Sequence, residues 1–351
     1  MTNKPEVTSS LLKPLHLLGG GSLPDRVLPA PMEGILTPLF TKALSQQGHV
    51  KAWITPFYRV GVGNPPRLHK LRREIQFFLD TQLPVIVQLM GTDPELMSLV
   101  AERFNSIEGV VGLNFNFACP SKRVNHRGGG GACLQTPDLM ASILDSTRKR
   151  CPNLSLSAKI RTGFIHPEEC LDILPKLKDA GCEWVTVHHR TVKEAYTKVD
   201  ERIPRLTKAR EAWGSLPFFA SGDIFGVEDA LALEASGCCE GLVVARGLIR
   251  KPLLLGEIRK ALDDPQRYHR GDHDQRKQAY QFMEQLLELC IQKPDIYWSH
   301  KYCMELARNL FGVKNSTFRT LTTLKQIDGP GPLLEKLILS KEQEHLLDKS
   351  C

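Results

Sequence analysis

The chain has 351 residues, of which 42% are hydrophobic and 24% are charged, a composition typical of globular proteins and unlike a disordered chain. It contains no apolar run of transmembrane length and no secretory signal pattern, so we expect a cytoplasmic location and no membrane partner. The formal net charge of +7 suits a polyanionic partner. None of the ten cysteines forms a Cys-x-x-Cys pair, which argues against a metal site and for reduced thiols.

Residues 1–25 are predicted to be a flexible leader, because the Gly-Gly-Gly-Ser run at 19–22 favours no single conformation. After the leader, short apolar runs alternate with amphipathic helical segments. Eight runs can be identified, at residues 27–31, 52–55, 85–89, 109–114, 154–160, 184–188, 217–220 and 241–245. Eight such units over about 230 residues predict an α/β fold, a TIM (β/α)8 barrel spanning residues 26–254. A doubly wound sheet is the alternative, but no Gly-x-Gly-x-x-Gly turn follows any of these strands.

The pattern changes after Pro252. Residues 255–351 show only helical periodicity, in segments at 278–292, 297–311, 316–326 and 332–347. These segments predict a carboxy-terminal all-helical domain. Enzymes that act on a small metabolite do not normally need such an appendage.

Polar residues occur where the predicted strands end, which is where TIM barrels carry their chemistry. The loops after the last two strands of such barrels often bind phosphate, and here Gly222, Gly247 and Arg246 could do so. Lys159 would lie across the barrel mouth, where a cation can stabilise the anionic edge of a reduced flavin. Gln88 could bind the pyrimidine edge of that flavin, or could bond backbone inside the barrel. The glycines could equally belong to ordinary strand-to-helix turns.

Cys119 needs an explanation other than core packing. It follows a strand, precedes Pro120 and opens a loop that contains the glycine run 128–131. A thiol on such a loop over a flavin can deliver a proton. The alternative is a cysteine that merely packs under the loop, and we assign that structural role to Cys133, Cys238 and Cys239.

A basic segment spans residues 67–73 and contains Arg67, His69, Lys70, Arg72 and Arg73. Two interpretations are open. The segment is either a solvated helix or loop face, or a patch that contacts phosphates.

These residues, in this order, resemble the tRNA-dihydrouridine synthase family over residues 27–318. The most specific motif is Asn116-x-x-Cys119-Pro120-Ser121-Lys122-x-Val124, followed by the glycine run up to Leu134-Gln135. The segments at 31–34 and 54–60 most resemble the bacterial branch that modifies uridine 16 of the D-loop. Three positions depart from the family pattern: Ala118 and His189 stand where glycine is usual, and Ser221 where asparagine is usual.

The resemblance implies an oxidoreductase in which NADPH reduces a bound FMN. The flavin N5 would then pass a hydride to C6 of a uracil, while the Cys119 thiol protonates C5 from the opposite face. Asn116 would hold the uracil or the flavin edge. The cofactor-binding residues that we predict are Pro31, Met32, Glu33, Gln88, Lys159, His188, Ser221, Gly222, Asp223, Ala245 and Arg246.

The implied substrate is tRNA, and the family implies a monomeric enzyme. A base inside folded tRNA is stacked, so it must be flipped out to reach a barrel, and contacts to the RNA backbone must compensate that cost. In the helical domain, Lys301 and Arg308 are seven residues apart and therefore share a helix face. The predicted substrate contacts are Asn116, Arg67, Lys70, Arg72, Lys301, Arg308 and Arg319.

Two other functions are considered. An FMN-dependent barrel reductase of a small molecule, similar to dihydroorotate dehydrogenase, would share the flavin face without needing the helical domain. A non-catalytic RNA-binding protein would not need Cys119, Lys159 and Arg246 together. Reoxidation of the reduced flavin by intact tRNA would exclude the first, and a yellow purified protein would argue against the second.

Overall fold

The computed structural model describes residues 9–61, 63, 65–265 and 275–349. Its strands are Leu15–His16 (β1), Ser22–Leu23 (β2), Val27–Pro29 (β3), Trp53–Ile54 (β4), Tyr58–Arg59 (β5), Val85–Met90 (β6), Val110–Phe117 (β7), Ser155–Arg161 (β8), Trp184–His188 (β9), Phe218–Ser221 (β10) and Gly241–Val244 (β11). Its helices are Pro38–Gln46 (α1), Leu68–Leu79 (α2), Pro94–Asn105 (α3), Lys122–Asn125 (α4), Pro137–Arg150 (α5), Glu169–Asp179 (α6), Arg202–Trp213 (α7), Val227–Ala235 (α8), Arg246–Arg250 (α9), Leu254–Asp263 (α10), Gln275–Gln292 (α11), Pro294–Tyr297 (α12), His300–Phe311 (α13), Ser316–Leu321 (α14) and Pro330–Lys349 (α15). Within these ranges, no helix is long and apolar enough to cross a membrane.

Eight parallel strands form a nearly closed barrel, which confirms the predicted TIM-barrel fold. Hydrogen-bonded neighbours follow the order β3-β11-β10-β9-β8-β7-β6-β4, and β5 pairs with the far end of β6. The two ends of this path, β3 and β4, lie in contact with each other. Each of the eight predicted apolar runs overlaps one of these strands.

The alternation of side chains along the strands decides which residues the barrel encloses. In β6, Val87 and Leu89 pack outward with the helices, whereas Ile86 belongs to an inner cluster with Trp184 and Phe219. The same alternation in the neighbouring strands turns a set of polar residues inward at the carboxyl ends. These residues are Gln88, Asn114, Asn116, Lys159, Arg161, His188 and Ser221.

The amino-terminal segment closes the opposite end of the barrel. Strands β1 and β2 pair antiparallel, with Leu15 opposite Leu23, and both leucines are buried in the inner cluster. Leu11 is also buried, in the cluster beneath the helices. The prediction of a flexible leader is therefore wrong for residues 9–25, because their leucines are needed to cover the barrel floor. Residues 1–8 lie outside the described residues.

The barrel extends further than residue 254, where we predicted its end. Helix α10 packs on α8 and β3, so it is the outer helix of the last barrel unit. Arg259 on α10 forms an ion pair with Asp25 (Nε–Oδ2 2.6 Å) and donates to the carbonyl of Val27 (2.6 Å). We therefore place the start of the helical region at α11.

Helices α11–α15 form the carboxy-terminal helical region, which packs against the barrel at α1 and α9. The aromatic rings of Phe40 on α1 and Phe282 on α11 meet edge to face, with centroids 5.7 Å apart. Near the barrel mouth, the Tyr302 hydroxyl donates to the carbonyl of Ile35 (2.5 Å). The helical region thus supports the loop that follows β3.

Candidate active site

A cavity of about 320 Å³ opens at the carboxyl ends of the strands, within the size range of small-molecule sites. Most of the predicted site residues meet there. The predicted residues among its lining are Pro31, Met32, Glu33, Asn116, Cys119, Lys159, His188, Ser221, Gly222, Asp223, Ala245 and Arg246.

Lys159 projects into this cavity from β8. Burial lowers the pKa of its ammonium group to about 7, and the nearby charge of Arg161 contributes to that shift. Its Nζ donates no hydrogen bond to a described residue. The lysine is therefore available to an anionic or strongly polar ligand group.

Arg161 also lines the cavity, and the sequence did not identify its role. Its Nε donates to the carbonyl of Ala118 (2.8 Å), and its Nη1 donates to the carbonyls of Thr191 (3.0 Å) and Ala195 (3.2 Å). It therefore ties the Cys119 loop to the loop after β9. That second loop brings Tyr196, with 61% of its surface exposed, to the cavity mouth.

His188 is a neutral hydrogen-bond donor toward the cavity. Burial lowers its pKa well below the ordinary value, and the charges of Arg161 and Lys159 add to that shift. Its Nδ1 accepts the backbone N–H of Arg190 (3.2 Å), so the proton of the neutral ring lies on Nε2. His189 stacks on it with centroids 5.0 Å apart and is fully buried, and neither of its ring nitrogens has a hydrogen-bond partner among the described residues.

Asp223 is held between two arginines. It accepts hydrogen bonds from Arg190 Nη1 (3.0 Å) and Arg246 Nη2 (2.8 Å). Partial burial alone would raise the pKa of its carboxyl, but the hydrogen bond and charge of Arg190 hold it below the ordinary value. Arg246 also lies over the Tyr196 ring (4.9 Å to the centroid). Asp223 thus orients the Arg246 guanidinium, which lines the cavity, a role that the sequence did not predict.

Position 222 requires glycine, because neighbouring side chains leave no room for a Cβ. Its backbone has φ of +105°, and a Cβ there would lie 2.5 Å from Nδ1 of His189. By contrast, Ala118 lies outside the positive-φ region, so alanine fits before Cys119 without strain.

A chain of buried amides, which we call the amide relay, holds the backbone of the Cys119 loop. Asn116 Oδ1 accepts the N–H groups of Ala118 (3.0 Å) and Cys119 (3.1 Å), and its Nδ2 donates to Gln88 Oε1 (2.9 Å). Gln88 Nε2 donates in turn to Asn114 Oδ1 (2.7 Å). The chain continues from Asn114 Nδ2 to Ser157 Oγ (2.9 Å) and ends on a backbone carbonyl. Because the backbone donors fix the asparagine oxygen, every amide in the chain has a defined orientation.

Gln88, for which we predicted a flavin contact, belongs to the amide relay. Its side chain is fully buried behind Asn116 and is not part of the cavity lining. Both ends of its amide are engaged in the amide relay. The side chain bonds inside the barrel, but its partners are the side-chain amides of Asn114 and Asn116 and not the backbone.

Cys119 lies on the cavity wall. It is partly exposed, whereas the other cysteines in the described ranges are buried, including Cys133, Cys238 and Cys239. The glycine run lets the loop fold back on Cys119: a Cβ on Gly130 would lie 2.9 Å from the Cys119 Cβ. The Gly131 N–H donates to the Cys119 carbonyl (3.0 Å).

Apart from Asn116, the predicted tRNA contacts lie outside the cavity on exposed surfaces. Arg67 precedes α2, and Lys70 and Arg72 lie on it. Lys301 and Arg308 are exposed on α13, and Arg319 is exposed on α14. No bound RNA tests these assignments, which remain predictions.

TIM barrels carry their active sites at the carboxyl ends of the strands, and the cationic cavity with the accessible thiol of Cys119 lies there. The fold and the cavity are therefore those of a barrel enzyme. A family model agrees with this class. The model described as "Dihydrouridine synthase (Dus)" matches residues 28–328. The chain therefore belongs to the dihydrouridine synthase family.

Several bacterial proteins are similar to this chain in sequence. The tRNA-dihydrouridine(16) synthase of Vibrio parahaemolyticus is 36% identical over 235 residues, covering 65% of this chain and 72% of that protein. The protein of the same name from Haemophilus influenzae is 31% identical, covering 65% and 75%. The crystal structure of TcOYE with pHBA has the same fold, with 12% identity, a TM-score of 0.52, and coverage of 72% and 93%.

Proposed function

We propose that this protein is an FMN-dependent tRNA-dihydrouridine synthase that reduces the C5–C6 double bond of uridine 16 in the D-loop, with NADPH as reductant. The observation that carries this proposal is that the accessible thiol of Cys119 lines the same cavity as Lys159 and Arg246. The named relatives support the position in tRNA. The proposal places the enzyme in the cytoplasm as a monomer.

The cavity residues fit a flavin nucleotide. Lys159 has no protein partner among the described residues, which suits a polar, electron-rich ring edge. Gly222 and Arg246 both line the cavity, and the Arg246 guanidinium suits a phosphate. When bound, FMN supplies the two-electron reduction of the uracil.

Cys119 holds the proton that C5 of the uracil must receive. A positioned acid of this kind requires a fixed backbone, and the amide relay supplies it through Asn116. Arg161 and Tyr196 lie on the mouth side of the cavity, where their N–H and O–H groups can meet the uracil carbonyls.

A folded tRNA must present a flipped base to reach this cavity. The exposed cations on α2, α13 and α14 can offset that cost through phosphate contacts, and the helical region enlarges the contact surface. Free uracil or orotate would engage none of these cations. We therefore expect intact tRNA, and neither free base, to reoxidise the reduced enzyme.

The decisive experiment is mass spectrometry of tRNA from cells that lack the gene, with dihydrouridine mapped by position. We expect loss of dihydrouridine at position 16, restored by the wild-type protein and not by Cys119→Ala. An unchanged map would refute the proposed substrate and would direct attention to the small-molecule reductase alternative.

A further inference from the structure

A second cavity, of about 530 Å³, lies beside the first. Its walls come from the segment after β5, the end of β6, the start of α3 and the turn that follows α4. Residues that define it are Arg59, Met90, Thr92, Leu96, Arg127 and Gly129. None of these residues was assigned a role above.

The two cavities share walls. Phe57 lines the first cavity and Arg59 the second, and the Arg59 guanidinium lies over the Phe57 ring, 5.6 Å from its centroid. Cys119 lines the first and Val124 the second, and a Cβ on Gly130 would meet both of their side chains. A ligand in the second cavity would therefore lie directly beside a substrate at Cys119.

The second cavity favours an anion. Arg59 and Arg127 form no ion pair within the described part of the chain. The carboxylates in its lining are already engaged: Asp93 accepts the N–H of Leu96 at the start of α3 (2.9 Å), and Glu95 pairs with Arg150 (2.5 Å). Among the described lining residues, Arg59 and Arg127 thus outnumber Asp93, the one carboxylate without an ion-pair partner.

Another carboxylate near these cations is Glu33, on the side of the first cavity. Burial raises the pKa of Glu33, and the charge of Arg59 offsets that shift only in part.

The basic surface continues beyond the cavity on both sides. On one side, Arg103 donates to the carbonyls of Pro65 (2.6 Å) and Pro66, which fixes the wall that leads to Arg67. On the other side, Lys122 and Arg123 are exposed on α4. A strip of cations on both sides of a pocket suits a chain of phosphates better than a single small molecule.

We propose that the second cavity binds the ribose-phosphate of a nucleotide next to the target uridine, which rests on the proposed function. Arg127 and Arg59 contact the phosphate, and the ribose of the adjacent nucleotide lies in the cavity. Holding the neighbouring nucleotide here keeps the strand open while the target base occupies the first cavity.

The test uses Arg127→Ala in the full-length, FMN-loaded protein, because Arg127 is not part of the first cavity lining. We expect the Kd for a tRNA transcript to rise about tenfold at low salt, with the slope of log affinity against log salt reduced by about 0.7–0.9. Arg127→Lys should recover most of the affinity, which separates a charge effect from misfolding. Lys208→Ala, an exposed cation on α7 across the barrel, is the matched control and should bind tRNA as the wild type does.

NADPH also carries phosphates, so the KM for NADPH in flavin reduction without tRNA is measured for each variant. A raised KM for NADPH with unchanged tRNA affinity would overturn the proposal and assign the cavity to the reductant. No change in either quantity would also overturn it. Failure of the wild type itself to form dihydrouridine would instead refute the proposed function, so the two failures are distinguishable.

Discussion

Replacing Cys119 with alanine isolates the contribution of one thiol to the reaction. The substitution leaves the Cβ in place, and both backbone hydrogen bonds of residue 119 are kept: its N–H donates to Asn116 Oδ1 (3.1 Å) and its carbonyl accepts from Gly131 (3.0 Å). Because the side chain is partly exposed, its loss should change the free energy of unfolding by less than about 1 kcal/mol.

The expected kinetic effect is far larger. A positioned general acid contributes roughly 10²–10⁴-fold to a rate, which corresponds to about 3–5 kcal/mol in activation free energy. The assay is anaerobic: the FMN-loaded variant is reduced with NADPH and mixed with tRNA, and flavin reoxidation and dihydrouridine are followed in a single turnover. Reduction by NADPH should match that of the wild type, while reoxidation by tRNA slows by the stated factor.

Cys133→Ala is the matched control, because it removes a thiol from the same loop without touching the cavity. Cys133 is fully buried, its Sγ donates to the carbonyl of Gly128 (3.3 Å), and burial raises its pKa to about 11. Its loss should lower stability by about 1 kcal/mol and leave the reoxidation rate unchanged. Reoxidation of Cys119→Ala at the wild-type rate would refute the assignment of Cys119 as the acid.

Three further predictions concern the cavity and the residues behind it. Because an electron-rich flavin edge favours charged Lys159, whose pKa is about 7 in the free cavity, FMN affinity should fall by up to about tenfold per pH unit above 7. Fluorescence titration should show that Lys159→Met lacks this component, and identical pH profiles would contradict the reasoning. Gly222→Ala should lower both the melting temperature and the FMN content, because its Cβ would collide with His189. The control Gly237→Ala, also at positive φ but in open space, should lower only the melting temperature. Gln88→Glu buries a carboxyl in the amide relay, which favours the protonated form of that carboxyl. The loss of stability relative to the wild type should therefore grow from pH 5 to pH 8. A loss that stays constant with pH in thermal unfolding would refute this.

Short apolar runs made the barrel predictable. Because both faces of each strand are covered, the strands appear in the sequence as such runs, and all eight runs overlap a barrel strand. Strand ends converge in a closed barrel, so the sequence alone places residues as far apart as Pro31 and Arg246 at one cavity.

What the sequence does not reveal depends on side-chain partners. A carboxylate such as Asp223 is unexpected at a phosphate site when only the sequence is considered. Its two arginine partners explain it, but they follow other strands, and sequence spacing does not disclose such ion pairs. The strand position of Gln88 suits a cofactor contact, yet Asn116 stands between it and the cavity. The prediction for residues 9–25 is wrong because it was based on the glycine run, whereas the leucines on either side of that run are buried.

The charge distribution explains why these separate pKa shifts share a direction. Lys159, Arg161 and His188 all have lowered pKa values, and in each case burial is the largest cause and a neighbouring cation adds to it. The Asp223 carboxylate pairs with Arg190 and Arg246 and is not among the main causes of these three shifts. An anionic ligand in the cavity would relieve the repulsion and raise all three pKa values together, so the cluster is electrostatically complete only with its ligand. In the second cavity, Arg59 and Arg127 form no ion pair among the described residues, which is the reason to expect a phosphate there as well.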